Sequence, residues 1–319
     1  MKGRVVALSG GVGGAKLVDG LARVLPPDAL TVIINTGDDF RHLGLWISPD
    51  IDSVVYALAG LSDPVKGWGR RDETWNFMEA IRGLGGEDWF LLGDADLAMH
   101  VERTHHLSEG LSLTEVTARI ACALGIRPTL LPMSDDQVAT QLDTDEGWLN
   151  FQDYFVRRRC MPAIRDIRFA GAATARAGPA VLEVLADPEL EMVVICPSNP
   201  FLSVEPILSI PAIRTGLMRC AAPVVAVTPI IGGQAIKGPT AKIMRELGLE
   251  ISGEAVARRY AELIDAFIFD QSDAAPAPLE GVRFVAAQTL MHETPEREAL
   301  ARAVLAVAAQ GPSRQRRMP

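Results

Sequence analysis

The sequence predicts an α/β protein: a doubly wound, mostly parallel, Rossmann-like sheet with an α-helical insert that covers the active site. Two observations lead to this class. Short apolar runs alternate with stretches of helical periodicity, and the runs end at glycine, proline or small polar residues. Apolar runs without polar alternation are typical of parallel strands that are buried on both faces. With 319 residues, 48% of them hydrophobic, the chain is predicted to form a single domain over residues 1–319.

The predicted elements follow one another along the chain. The apolar runs predict strands at residues 5–8, 30–34, 89–92, 129–131, 192–195, 224–227 and 266–269. The helical periodicity predicts helices at residues 15–24, 180–185, 240–247, 254–264 and 295–308. Residues 52–124 hold only one of these strands and much helical pattern, so they are predicted to form the insert. Residues 311–319 contain three arginines and few apolar residues, which predicts a flexible tail.

Composition excludes several classes of function. A net charge of −9 argues against nucleic-acid binding, because neutralising phosphates needs a basic surface. An anionic small ligand stays open, since backbone amides and a metal can override net charge. The four cysteines form no C-x-x-C pair, so no zinc site is predicted. We expect no signal peptide and no membrane span, which would need ~20 apolar residues, and therefore a cytoplasmic protein.

A glycine-rich loop joins the first predicted strand to the first predicted helix. It contains Gly10, Gly11, Gly13 and Gly14, followed by Lys16. Glycines let a backbone approach a phosphate closely, and a helix N-terminus offers free amides and a positive dipole. The loop matches neither the G-x-G-x-x-G fingerprint nor the Walker A motif. A phosphate site is therefore one interpretation, and a tight turn without a ligand is the other.

Four carboxylates follow the second predicted strand: Asp38, Asp39, Asp50 and Asp52. Ligands of open α/β sheets bind at the carboxyl ends of the strands. Carboxylates at that edge are suited to Mg²⁺, and one of them could accept a proton from an attacking hydroxyl. The alternative for any single aspartate is a helix cap or a turn.

Two further sets of residues are candidate ligand contacts. In the segment 67–75, Trp68 could stack on a planar ring and Arg71 could bind phosphate. A surface loop anchored by its second tryptophan is the alternative. Three residues after the strand at 192–195 could cap a helix or bind a nucleotide: Ser198, Asn199 and Pro200. Lys237, in a later glycine-bearing turn, is a candidate phosphate cation.

Covalent catalysis has no support in the sequence. The five histidines form no H-E-x-x-H motif, and no G-x-S-x-G elbow is present.

Taken in this order, these segments resemble the 2-phospho-L-lactate transferase family of coenzyme F-420 biosynthesis. The resemblance is carried by residues 9–16, 35–39, 48–52, 67–75, 92–98, 197–200 and 228–239. The string at 67–74, Gly-Trp-Gly-Arg-Arg-Asp-Glu-Thr, is similar to bacterial members of the family. The resemblance implies that a guanosine diphosphate ester of a three-carbon acid donates its acid-bearing phosphoryl group. The acceptor would be the ribitol hydroxyl of the deazaflavin Fo, GMP would leave, and Mg²⁺ would be the metal.

The resemblance also implies roles for the candidate residues. The four glycines, Lys16, Lys237 and residues 198–200 would bind the nucleotide and its phosphates. The catalytic and Mg²⁺-binding residues would be Asp39, Asp50 and Asp52. The contacts to Fo would be Asp38, Trp68, Arg71 and Asp94. A homodimer is the expected assembly.

Two questions stay open in the sequence. Phospholactyl, phosphoenolpyruvyl and phosphoglyceryl donors differ by a few atoms, and one polar side chain could decide among them. The second question is the class of function. Distant relatives with a similar Gly-Gly opening resemble regulators that bind nucleotide sugars and catalyse no reaction. The segments 67–74 and 48–52 favour the transferase.

Overall fold

The computed structural model describes residues 3–235 and 238–308. In chain order, the strands are β1 (Arg4–Ser9), β2 (Leu30–Ile34), β3 (Phe40–His42), β4 (Leu45–Ile47), β5 (Thr129–Pro132), β6 (Ala139–Thr144), β7 (Gly147–Asn150), β8 (Ile164–Ala170), β9 (Leu190–Ile195), β10 (Val224–Val227), β11 (Ile230–Ile231), β12 (Gln234–Ala235), β13 (Ala266–Asp270) and β14 (Arg283–Ala287). The helices are α1 (Gly11–Val24), α2 (Pro49–Leu58), α3 (Asn76–Gly83), α4 (Asp94–Ser108), α5 (Leu113–Ala123), α6 (Pro179–Ala186), α7 (Glu205–Leu208), α8 (Pro211–Arg219), α9 (Thr240–Glu246), α10 (Gly253–Arg259) and α11 (Thr294–Ala308). Two π-helical turns occupy Asp153–Arg157 and Pro200–Val204.

A seven-stranded parallel sheet forms the centre of the molecule. Its strand order is β14-β13-β10-β9-β1-β2-β5. Strand β1 lies between β2 and β9, with Leu8 beside Ile33 on one side and Ile195 on the other. From β1 the sheet is extended on one side by β2 and β5 and on the other side by β9, β10, β13 and β14. The strand order therefore reverses between β1 and β9, and such sheets bind ligands at this switch point. The predicted α/β class and parallel sheet are confirmed.

Apolar layers cover both faces of this sheet. One layer packs α1, α2 and α11 against it through residues such as Leu17, Val54 and Leu300. The other packs α6, α8 and α10 through residues such as Val181, Leu217 and Val256. Because both faces are buried, strands β1, β9, β10 and β13 need continuous apolar sequence, which is the pattern that predicted them.

Some predicted elements were wrong or incomplete. Residues 89–92 form no strand, because Trp89 and Phe90 pack instead on Phe40 and His42 in an aromatic cluster. The periodicity also missed β14 and a separate antiparallel sheet of order β7-β6-β8. Helix α1 begins at Gly11, so Gly11, Gly13 and Gly14, which were predicted to precede the helix, form its first turn, and Gly10 is its N-cap.

Between α2 and β5 the chain is helical, with α3, α4 and α5 and one isolated bridge from Ser62 to Arg70. Helix α5 starts with a capping box, in which Ser112 and Glu115 satisfy each other's backbone amides. The predicted tail lies outside the described residues. Within them, no single helix has the length and apolar composition of a membrane span; only a bent pair, Pro200–Leu208 with Pro211–Arg219, passes when joined.

Candidate active site

Three strand ends meet at the switch point and bring the glycine loop, an aspartate and a serine together. The Gly11 amide donates to Asp50 Oδ1 over 2.6 Å, and Asn35 Nδ2 donates to Asp50 Oδ2 over 2.8 Å. On the other side, the Gly10 amide donates to Ser198 Oγ over 3.2 Å. These contacts join the ends of β1, β2 and β9 to the first turn of α2. The sequence-predicted loop, Asp50 and Ser198 therefore form one site.

Helix α2 places Asp50 in this site by its first turn. Pro49 occupies the first helical position, where its fixed φ fits the helix and its missing amide costs nothing. Asp50 and Asp52 follow in the first turn, where a negative charge suits the helix dipole. Burial raises the pKa of Asp50 to about 6, although hydrogen bonds from Asn35 and Gly11 oppose that shift.

Asp38 and Asp39 follow the end of β2, and Asn35 Nδ2 links Asp38 to Asp50 by donating to a carboxylate oxygen of each, over 3.4 and 2.8 Å. Ser48 Oγ and Trp46 Nε1 donate to Asp39 Oδ2 over 2.7 and 3.2 Å. The other oxygen, Oδ1, is buried and accepts no hydrogen bond from the described residues. Burial raises the pKa of Asp39 to about 8. Asp38 is buried, and burial, together with the charges of Asp50 and Asp39, raises its pKa well above the ordinary value.

The chemistry of these carboxylates suits a hard cation, although within the described residues no three of them bring an oxygen each within 4.8 Å of one another. Three carboxylates lie where burial disfavours their charge, and one of their buried oxygens has no partner in the described residues. Mg²⁺ takes oxygen ligands and would neutralise such a cluster. Asp39 contributes the unpartnered oxygen, and the roles of Asp39 and Asp50 as metal ligands stay predictions.

The glycines are required by packing as well as by any ligand. A Cβ on Gly10 would overlap the side chains of Asp50 and Ser203. On Gly13 it would overlap the backbone carbonyl oxygen of Pro197, and on Gly14 the hydroxyl of Ser198. The start of α1 is thus pressed against the segment that follows β9. Gly11 has a φ of +63°, which favours glycine.

The remaining predicted nucleotide contacts have the following positions. Lys16 Nζ donates to the carbonyl of Met291 over 2.5 Å, ahead of α11. Asn199 caps the π-helical turn, with Oδ1 accepting from the Phe201 and Leu202 amides at 3.0 and 3.2 Å. Pro200 is buried as the first residue of that turn. Lys237 lies outside the described residues. The nucleotide roles of these residues stay predictions.

The loop that carries Trp68 lies on the surface. Trp68 is 52% exposed, and the Lys66 ammonium lies 5.8 Å from its ring centroid. The Arg71 guanidinium is half exposed beside Asp72. Asp94 accepts hydrogen bonds from Thr74 and from the Phe77 amide, and the bond from Thr74 contributes most to lowering its pKa to about 2. Asp94 therefore holds the start of α3, and whether any of these residues contacts Fo stays a prediction.

Asp52 has a different environment from the other aspartates. The guanidinium of Arg103, from α4, pairs with both of its oxygens. Burial raises the pKa of Asp52, against the charge of Arg103. His100 links this pair to Asp96, which also accepts from the Tyr56 hydroxyl.

Sequence reasoning missed this network. Its members on α4 are Asp96, His100 and Arg103, spaced i, i+4 and i+7 on one helix face. Polar residues at the spacing of a buried apolar stripe would have been a usable signal.

Comparison with known proteins assigns the family. Residues 5–309 match the model of the family described as 2-phospho-L-lactate transferase CofD. The chain belongs to this family. Relatives include the 2-phospho-L-lactate transferase of Methanosarcina mazei, 38% identical over 94% of this chain and 99% of that protein. Another is the phosphoenolpyruvate transferase of Kitasatospora aureofaciens, 41% identical over 96% of this chain and 98% of that protein.

CofD membership supports an enzyme, a transferase of coenzyme F-420 biosynthesis. A solved UPF0052-family protein from Bacillus halodurans shares the fold, with a TM-score of 0.61 over 96% of this chain and 99% of that one. At 16% identity, that likeness extends to the fold alone.

Proposed function

We propose that this CofD-family protein transfers a phosphate-linked three-carbon acid from its guanosine diphosphate ester to the ribitol hydroxyl of Fo, with release of GMP. The observation that carries the proposal is the direct bond between the start of α1 and the aspartate cluster, Gly11 N to Asp50 Oδ1. The bond supports the proposal because helix N-termini favour phosphates and carboxylates are ligands that Mg²⁺ accepts.

The diphosphate of the donor would lie over the start of α1. Helix amides and the helix dipole favour an anion there, and phosphoryl transfer depends on positioning and charge neutralisation more than on a covalent nucleophile. The nucleoside would extend past Ser198 and Asn199, which follow β9 on the far side of the switch point. We propose Lys16 and Lys237 as further cationic groups for this half of the donor.

The aspartates would carry the metal and the proton. Bound Mg²⁺ would supply positive charge to the phosphate oxygens. Asp39 and Asp50 would bind it, and either could receive the proton of the ribitol hydroxyl. The hydroxyl oxygen forms the new bond to the acid-bearing phosphorus, the bond to the GMP oxygen breaks, and the proton passes to the carboxylate.

The structure refines the proposed role of Asp52. Its two oxygens already pair with Arg103. We therefore assign metal binding first to Asp39 and Asp50, and give Asp52 the task of orienting the first turn of α2.

The three-carbon acid of the donor is one of three candidates: phospholactate, phosphoenolpyruvate or 3-phosphoglycerate. Relatives at 38% and 41% identity carry the names of a phospholactate and a phosphoenolpyruvate transferase, so similarity favours neither. Offering Fo with all three guanosine diphosphate esters together and weighing the product by mass spectrometry would identify the acid. Excess EDTA should abolish the product and Mg²⁺ should restore it.

The same experiment separates a transferase from a ligand-binding regulator. A regulator would retain a nucleotide and form no Fo product with any donor. Full turnover in EDTA would show that the transfer needs no Mg²⁺, and would leave the rest of the proposal standing. We further propose that the protein is cytoplasmic and forms a homodimer. Light scattering of the purified chain would test the dimer.

A further inference from the structure

Arg103 is an unusual residue for a position with no solvent exposure. Its side chain is fully buried on α4 and is the largest of the fully buried side chains in the described residues. A buried guanidinium carries a large desolvation cost and persists only with a well-matched partner. That partner is Asp52, whose two oxygens face two guanidinium nitrogens.

The surrounding residues complete the network around this pair. Arg103 Nη1 lies 3.2 Å from His100 Nδ1, so that nitrogen accepts and His100 Nε2 is free to donate to Asp96 Oδ2, also at 3.2 Å. The Tyr56 hydroxyl donates to the other oxygen of Asp96. The network therefore ties α4 to α2 at two heights, by Arg103 near the start of α2 and by Tyr56 near its end.

Asp52 lies in the same first turn of α2 as Asp50, the aspartate that contacts the start of α1. Asp50 lies two positions earlier in the same first turn and accepts from both Gly11 and Asn35. A rotation or shift of that turn would break these bonds. The Arg103 guanidinium, fixed by α4, opposes such a shift because a planar fork fixes the orientation of the carboxylate it binds.

We propose that Arg103 is a positioning residue, which holds the first turn of α2, and with it Asp50, in register with the start of α1. The kinetic part of this inference rests on the proposed function, and its structural part does not. Arg103 would act through Asp52 without touching either substrate.

The test compares Arg103→Lys with Tyr56→Phe. Lysine keeps the positive charge but cannot bridge both carboxylate oxygens, so Asp52 keeps a counter-charge and loses its orientation. We expect kcat to fall by about 100-fold, the effect of a misplacement of about 1 Å, while KM for Fo and donor changes by less than about threefold. Hydrogen exchange of the amides in residues 9–16, which include the Gly11 donor, should accelerate.

Tyr56→Phe removes a hydroxyl from the same network without touching the Arg103–Asp52 pair. It should lower the melting temperature and leave kcat and the exchange of residues 9–16 at wild-type values. The inference is overturned if folded Arg103→Lys keeps wild-type kcat and exchange, or if both variants lose kcat in proportion to their lost stability. If the wild-type protein transfers nothing while Arg103→Lys still accelerates exchange, the proposed function fails and the positioning role stands.

Discussion

Gly13 was predicted to be a glycine because the backbone must approach a phosphate, and the structure shows that packing within the protein also requires a glycine there. Its missing Cβ leaves room for the carbonyl oxygen of Pro197, so the start of α1 can approach the segment after β9. The loop that would hold the phosphates is thus shaped by a contact within the protein.

Gly13→Ala should therefore destabilise the protein and weaken nucleotide binding together. Inserting a carbon into such a contact costs about 1–3 kcal/mol, because the backbone on one side must move. Thermal unfolding and a GDP titration would measure the two effects, and Fo binding should change less. Gly83→Ala is the matched control, since a Cβ there meets nothing within 4 Å. A fully stable Gly13→Ala protein would show that the contact is not tight.

The sequence predicted the residues at the strand ends better than their partners. Asp38 and Asp50 both follow β2 and come together because Asn35, at the end of that strand, donates to both carboxylates. The pairing of Asp52 with Arg103 joins two helices, and no local spacing specifies which buried charges will meet. The predicted metal role of Asp52 takes no account of this pairing, which occupies both of its oxygens.

At the scale of elements, the loop carrying Trp68 is fastened to α4 by reciprocal caps. Glu73 accepts from the amides of Ala95 and Asp96 at 2.9 and 2.8 Å, at the start of α4. Asp94 in turn accepts from the Phe77 amide, at the start of α3, over 2.9 Å. Each helix start is therefore capped by a carboxylate from the other segment.

Asp94→Ala should loosen this loop and reduce the affinity for Fo. Loss of a cap costs about 1 kcal/mol, and the loop would pay an ordering cost on binding that the wild type avoids. If Trp68 stacks on the deazaflavin, Trp68→Ala should raise the Kd for Fo about tenfold, and Asp94→Ala should raise it by a smaller factor.

Fluorescence titration of Fo would measure both variants, with GDP affinity as the control that should stay constant. Unchanged Fo affinity in folded Trp68→Ala would move the acceptor site away from this loop. An effect of Asp94→Ala alone would instead assign the contact to Asp94 itself.

Prediction of strands failed where apolar side chains pack in the tertiary structure in another way than in the central sheet. Residues 89–92 are apolar enough for a strand, but the rings of Trp89 and Phe90 fill an aromatic cluster beside β3. Strand β14 was missed although residues 284–287 form a short apolar run; as the edge strand of the sheet it is only partly buried, unlike the fully buried β13. Patterns that reflect full burial predicted the central strands well.

For the whole molecule, the buried carboxylates make stability depend on pH. The pKa of Asp39 is raised to about 8, against ~3.9 for an unfolded aspartate. Between these values the folded state binds more protons than the unfolded state, so the free energy of unfolding falls as pH rises. The contribution is fully present below about pH 4 and is lost as the pH passes about 8.

Differential scanning fluorimetry from pH 6 to pH 9 would measure this effect without added metal. Asp39→Asn should show a smaller decline in melting temperature than the wild type, because its side chain does not titrate. Mg²⁺ should stabilise the wild type more at pH 8.5 than at pH 6, since it competes with protons for the same oxygens. Equal slopes for wild type and Asp39→Asn would contradict the assignment.

The position of β1 in the sheet also determines when the protein can fold. Strand β1 is made well before β9, yet one of its two edges pairs with β9, which begins at Leu190. A growing chain on the ribosome must carry that open edge while the residues between β1 and β9 are synthesised. Contacts so distant in sequence close slowly. The switch point that would bind the substrates is therefore completed late in folding, and until then β1 presents an unpaired apolar edge that chaperones could protect.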